Sequence, residues 1–224
     1  MCIRDSYNGR KLVPYIPPTE YDNVAYEFLE QFYPDALKNP MPIPIEEIAK
    51  KGLGLDIQYV CLSEELDIYG MTIFTEGSVE VHDSDEGLYD TKAFKAKTVL
   101  IDPEAVKKTN TGCKNNTIAH ECVHWYKHRY YYKMQKLSLP RYAKYCKCHV
   151  NNLPVDAEEE NIMESQAIGI APRILMPKNT FVEVAGYLGI AYGKDNRSAI
   201  STLADFFGVS KQSVEIRLEE CRLL

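Results

Sequence analysis

The sequence predicts an α+β protein: a small, mostly antiparallel sheet packed on a helix that carries His-Glu-x-x-His and on a second helix that carries an isolated carboxylate, followed by a helical segment with a helix-turn-helix outline. Three observations carry this. Short β-rich runs broken by Gly, Asp and Ser cluster between residues 55 and 101. Helical apolar spacing governs the chain on either side of them. A length of 224 residues with 45% hydrophobic content suffices for one substantial domain, alone or with a small appendage.

Residues 1–18 are polar and proline-bearing and predict a loose arm, residues 19–195 the main domain, and 196–224 the helix-turn-helix-like segment. Val24, Phe28, Leu29 and Phe32 recur at helical spacing over residues 21–33, and Pro34 closes that run. Pro40-Met41-Pro42-Ile43-Pro44 is a stiff connection, after which 45–51 forms a short helix stopped by Gly52 and Gly54. Strands are expected at 55–62, 69–75, 78–82 and 98–101, with acidic residues 83–90 as a solvated loop. An exposed sheet edge can pair with an extended peptide, although the pattern does not say which strand is the edge. His82 reads as an ordinary surface histidine.

Turn and cap residues at 110–116 place the start of the next helix at Asn116 or Thr117. Beyond His128 the chain is rich in Tyr and Lys through residue 145. Interleaved basic and aromatic residues can bind single-stranded nucleic acid, but they read more simply as amphipathic side chains continuing a helix. Residues 151–156 form a loop, Pro172 and Pro177 break the helix that follows it, and 180–188 makes a further amphipathic helix.

The chemistry centres on Thr117-Ile118-Ala119-His120-Glu121-Cys122-Val123-His124. One helical turn separates the two histidines, so both imidazoles leave one face and can share a zinc ion, with Glu121 about 100° round beside them. Two neutral imidazoles and a third ligand would hold the metal, and a water in the remaining position would be acidified to a pKa of about 7. Glu121 is then the general base that takes this water's proton and passes it to the leaving amine. Ile118, Ala119, Cys122 and Val123 are small or apolar, so the polar groups enter a core where unpaired ones would be costly. Cys122 points about 200° away from His120 and reads as a core residue.

A third ligand must come from another element. On a helical wheel Glu164 lies among Ala167, Ile168, Ala171 and Leu175, an otherwise apolar stripe where a carboxylate wants a cation. Glu160 shares that face and is its rival. Glu158, Glu159 and His149 have suitable chemistry, the first two reading more simply as an acidic helix start. His128, one turn past His124, reads as a supporting or surface residue.

Taken together, H-E-C-V-H-W and the downstream M-E-S-Q-A-I-G-I-A-P-R-I-L-M-P resemble the ImmA/IrrE family of zinc metallopeptidases, in which H-E-x-x-H precedes a helix of the form E-x-x-A-N-x-(F/L)-A-x-x-(L/I)-L-M-P. The similarity runs from Pro42 to Leu175. It implies that His120, His124 and Glu164 bind zinc, that Glu121 is catalytic, and that the substrate is a transcriptional repressor or similar regulator cut by limited proteolysis. Where the family has Asn after Ala, this chain has Ile168, so any hydrogen bond made by that Asn is absent or replaced.

A net charge of −6 argues against non-specific attraction to nucleic acid or to anionic membrane. No apolar run approaches membrane-spanning length and the first residues lack the apolar core of a secretory signal, so a cytoplasmic protein is expected. The seven cysteines then read as thiols. Cys146-Lys147-Cys148-His149 has the ligand types of a second metal site, or of a redox-sensitive pair, yet lacks a partner motif. In 198–218 a helix, a Gly turn, a Ser cap and a second helix follow one another. Lys211, Gln212 and Ser213 suit a DNA-reading helix, whereas Glu215, Glu219 and Glu220 would repel phosphates, so a hairpin packed on the rest of the chain is the simpler reading. The rival to the peptidase is a DNA-binding or partner-binding regulator with a structural or inactive zinc site.

Overall fold

The β-rich runs assemble much as their composition suggests. In the computed structural model, which describes residues 13–84, 86–109, 111–135, 143, 145–149 and 158–224, the strands are β1 (Asp56–Tyr59), β2 (Ile68–Ile73), β3 (Gly77–Asp83), β4 (Leu88–Phe94), β5 (Thr98–Ile101) and β6 (Tyr145–His149). Four lie side by side in the order β1-β5-β2-β6, with β1 parallel to β5 and the other neighbours antiparallel. The β3–β4 hairpin is separate. Every residue of β5 is buried, because the sheet is covered on both faces. Met71, Ile73 and Leu100 pack against Val79, Val81 and Phe94 of the hairpin, while Ile57, Val99 and Ile101 join the helical core.

That helical core is built from α1 (Tyr21–Phe32), the short α2 (Ile45–Glu47), α3 (Pro103–Thr109), α4 (Thr111–Val123), α5 (Arg129–Gln135), α6 (Glu158–Leu175), α7 (Lys178–Tyr187), α8 (Arg197–Phe207) and α9 (Lys211–Glu220). The apolar stripe of α1 seats Val24, Ala25, Phe28 and Leu29 in the core, as its spacing predicts. After α4 the backbone widens into a π-type turn over His124–His128 before α5. The architecture is thus mixed α+β with small, mostly antiparallel sheets.

Several local expectations are corrected. Residues 88–90, expected within a loop, open β4; six of its seven residues are exposed, so it shows no apolar alternation and is held by its ladder to β3. Tyr145 belongs to β6 rather than to a continuing helix, and pairing with β2 overrides the propensity of Tyr-Cys-Lys-Cys-His. Helix α3 was not foreseen. Asp102 caps it, its Oδ1 accepting from the backbone N–H of Glu104 and Ala105 at 2.9 and 3.0 Å. His82 is buried rather than on the surface, edge-on to Tyr89 and beside Cys61. Pro172 lies within α6, which continues through it to Leu175, and the break falls at Pro177 before α7. The loop expected at 151–156 lies outside the described residues.

The helix that carries His-Glu-x-x-His begins at Thr111, not at Asn116 or Thr117. The reason is tertiary. Asn115 Nδ2 donates to the Gly208 carbonyl at 2.8 Å, and Gly112 abuts the Val209–Ser210 backbone so closely that an added Cβ would lie 2.3 Å from the Val209 carbonyl carbon. The turn between α8 and α9 therefore rests on the first turn of α4. Ser210 caps α9 through its hydroxyl, which accepts from the Ser213 N–H at 3.0 Å. Farther along, the buried guanidinium of Arg217 donates to Asp22 of α1, to the Met176 carbonyl and to Glu220, and Arg173 of α6 pairs with Glu220 at 2.8 Å. Asp22 and Glu220 thereby compensate a charge that would otherwise be expensive to bury. Gly112→Ala should destabilise the chain by about 1–3 kcal/mol in urea denaturation, since a backbone cannot yield as a side chain would; unchanged stability would show that the turn does not rest on α4.

Candidate metal centre

Helices α4 and α6 cross so that three donors converge. His120 Nε2 and His124 Nε2 lie 2.9 Å apart, and the Glu164 carboxylate approaches them at 3.2 and 3.1 Å. Both imidazoles are buried and the Glu164 side chain is only 17% exposed. Glu160 is outside this cluster, so Glu164 is the carboxylate of α6 that meets both rings. Glu158 and Glu159 sit in the first turn of α6, where the helix dipole favours them. The His149 side chain lies outside what is described.

The tautomers follow from hydrogen-bond bookkeeping. Gln166 Nε2 donates to the Pro14 carbonyl at 2.9 Å, an oxygen that can only accept, which turns Gln166 Oε1 toward His128 Nε2, also at 2.9 Å. His128 must therefore carry its proton on Nε2. Burial holds its pKa well below the usual histidine range, with His124 adding to that effect, so the ring is neutral and its Nδ1 is an acceptor. His124 Nδ1, 3.0 Å away, donates to it. His124 Nε2 is left bare, a lone pair aimed at Glu164 and His120. Pro14, Gln166 and His128 thus set the ligating tautomer of His124, the role that outer partners play around metal-binding histidines.

The charge balance asks for a cation. Burial opposes a charge on Glu164, yet a proton on the imidazole pair His124 and His120 holds its carboxyl well below the ordinary range. Burial likewise opposes a charge on His120, but Cys148 and Glu164 drive its pKa well above the usual value. Without a metal, the positive charge this carboxylate demands falls on His120. A bare imidazole nitrogen, a second imidazole and an ionised carboxylate within 3.2 Å of one another form a donor set suited to a divalent metal of the zinc type.

Glu121 sits beside this set in a slot made by β2. Thr72 Oγ1 donates to its Oε2 at 2.6 Å, while buried Oε1 has no partner. Burial raises the carboxyl pKa to about 7. Gly70 makes the slot possible, because an added Cβ would lie 3.0 Å from Glu121 Oε1 and 2.8 Å from Thr117 Cγ2. Cys122 is fully buried in the core and away from the donors, as read from its helical position. Gln166, Thr72 and Gly70 were not singled out from the sequence. Cys146 and Cys148, read as a possible second metal site, instead project into this one: Cys146 Sγ lies 2.8 Å from Glu164 Oε1, and Cys148 is grouped with His120 and Glu121.

A cleft of about 330 Å³ between α4, α6 and α9 reaches His120 and Cys148. Ile168, where the resembling family has Asn, is 38% exposed and lines this cleft, so the position supports no ligand here. Gln166, two residues earlier, orients the histidines from the other side.

The chain is therefore an α+β protein in which two helices bring two histidines and a glutamate to one buried point, with a second glutamate alongside. It belongs to the Peptidase M78 family, since residues 78–219 match the model of the IrrE N-terminal-like domain, a stretch running from β3 into α9 and containing both donor helices. No curated protein gives a significant match. Membership in a peptidase family implies a protein substrate. Among the described residues no helix is long and apolar enough to cross a membrane.

Two substitutions test this arrangement. Glu164→Ala should strip the chain of most of its metal; full metal content after gel filtration would point instead to Glu160 or His149. His128→Phe keeps the buried volume but removes the acceptor for His124 Nδ1, and should weaken metal affinity about 10–100-fold in chelator competition.

Proposed function

We propose that this chain is a zinc-dependent endopeptidase that cuts a protein regulator, a transcriptional repressor being the substrate that the sequence resemblance suggests. The observation that carries the reading is the buried convergence of His120, His124 and Glu164 beside a glutamate with one partnerless oxygen. Zinc held by these three residues would supply Lewis acidity, making a water nucleophilic at neutral pH and polarising the scissile carbonyl.

The chain's own groups do the rest. Glu121 Oε1 takes the proton of the attacking water, while Thr72 fixes Oε2 and so the plane of the carboxylate. A carboxyl whose burial brings its pKa to about 7 is matched to taking a proton and returning it to the leaving nitrogen at neutral pH. The cleft between α4, α6 and α9 receives the peptide, with Ile168 and Ile216 offering apolar contacts. The free thiols suit a reducing, cytoplasmic setting.

The test is a survey of new protein N-termini in a host expressing either the chain or its Glu121→Gln variant, with zinc supplied. Cleavage dependent on Glu121 is expected, falling by about 10²–10⁴-fold in the variant while zinc stays bound. Identical N-termini in the two hosts, with zinc confirmed in both proteins, would overturn the peptidase reading.

A further inference from the structure

Strand β6 carries two thiols into the metal centre, and the reaction proposed above uses neither. Cys146 pairs with Thr72 and Cys148 with Gly70, the two residues of β2 that hold Glu121, and residues two apart on a strand share a face. Both thiols are buried and free. Their Cα atoms, about 6.6–6.8 Å apart on an extended strand, sit at the upper limit for a disulfide, so the strand presents them separately.

Cys146 is the better placed. Its Sγ donates to Glu164 Oε1 at 2.8 Å and lies 3.5 Å from His124 Nε2, touching two of the three donor groups, whereas Cys148 is grouped with only one of them, His120. With the 2.9 Å between the imidazoles and the 3.1 and 3.2 Å to Glu164, these are edges between neighbouring donors, Glu164 facing His124 and Cys146 with Oε1 and His120 with Oε2, and coordination has still to draw the sulfur toward His120. Ordinary zinc bond lengths to nitrogen, oxygen and sulfur put such edges at about 3.3–3.6 Å. The 3.5 Å from sulfur to imidazole already fits, and the shorter edges are those that hydrogen bonds draw in.

We propose that Cys146 is a fourth protein ligand, so that the resting centre is a closed Cys-His-His-Glu site and peptide hydrolysis requires the Cys146 sulfur to withdraw. This rests on the metal reading above. Coordination breaks the S–H bond, leaves its electron pair on sulfur for donation to the metal and releases the proton to solvent, with no change of oxidation state. Four protein ligands are the mark of structural zinc, and an open fourth position that of catalytic zinc. β6 pairs only with β2 in the described sheet, so withdrawal disrupts one ladder rather than two.

The test loads the full chain with cobalt(II) in place of zinc and records its absorption spectrum. The unsubstituted chain should show tetrahedral d–d bands and an intense near-ultraviolet thiolate-to-metal band. Cys146→Ser should keep stoichiometric cobalt and lose the thiolate band, while Cys148→Ser should keep both. Bound cobalt without that band, or its loss in Cys148→Ser instead, would overturn the assignment; failure to take up metal at all would overturn the proposed function with it. Should a substitution impair folding, zinc-edge X-ray absorption on the unsubstituted chain decides the question: one sulfur neighbour at about 2.3 Å is expected, and a shell of nitrogen and oxygen alone refutes the proposal.

Discussion

A carboxylate pressed between two imidazoles is the constraint on which the rest of the structure depends. Glu164 enters from α6 into an interface otherwise built of Met163, Ala167, Ile170 and Ala171, where an uncompensated charge would cost several kcal/mol. His120 comes from α4 and His124 from the start of the π-type turn that continues it, at a spacing that only a helix supplies. The α4–α6 crossing therefore cannot slide without separating the three groups, and the sheet beneath α4 is bound to the same register through Thr72 and Gly70. Packing and charge ask for the same arrangement, so the donor cluster and the fold specify each other.

Orientation within that cluster is set from the opposite side of the core. The sequence of contacts from the Pro14 carbonyl through Gln166 and His128 to His124 is directional, because its first member only accepts and each later member has one way to satisfy the one before. Ile168 stands where the family that the sequence resembles has Asn. At that position the side chain looks into the cleft, and the amide that matters lies two residues earlier on the buried face of α6. The first described residues serve the site as well, since Val13 is buried and Pro14 anchors Gln166.

Much of this was legible in the sequence because helices carry their periodicity within themselves. The stripe of α1, the His-Glu-x-x-His face of α4 and the isolated Glu164 on α6 could each be read from residues three or four apart, and the helical core confirms that logic of placement. What escaped reading depends on partners distant in the chain. Strand β4 has almost no buried side chain, β6 alternates polar and thiol groups, and both exist because β3 and β2 offer them a ladder. The start of α4 lies five or six residues upstream because Gly112 and Asn115 fit against a turn almost a hundred residues away. Gln166 and Thr72 carried no signal, since an amide or hydroxyl becomes functional only through what it faces. Cys146 and Cys148 were visible as metal-ligand types, but their spacing could not say that β2 would deliver them to a site already assigned.

The C-terminal hairpin shows how a motif outline also serves packing. A helix, a glycine turn, a capping serine and a second helix are what two consecutive helices need wherever the chain must turn tightly between them, with or without nucleic acid. Here the turn lies against α4 and Arg217, a cation that a DNA-reading helix could have offered to phosphate, is buried on Asp22 and Glu220 instead. That anchoring has a consequence for the site. It places Ser213, Ile216 and Glu220 of α9 opposite Ile168 of α6 across the cleft that leads to His120. The far wall of the cleft is therefore made by the hairpin, and the same contacts that hold α9 in place decide which side chains a peptide approaching the metal centre would meet.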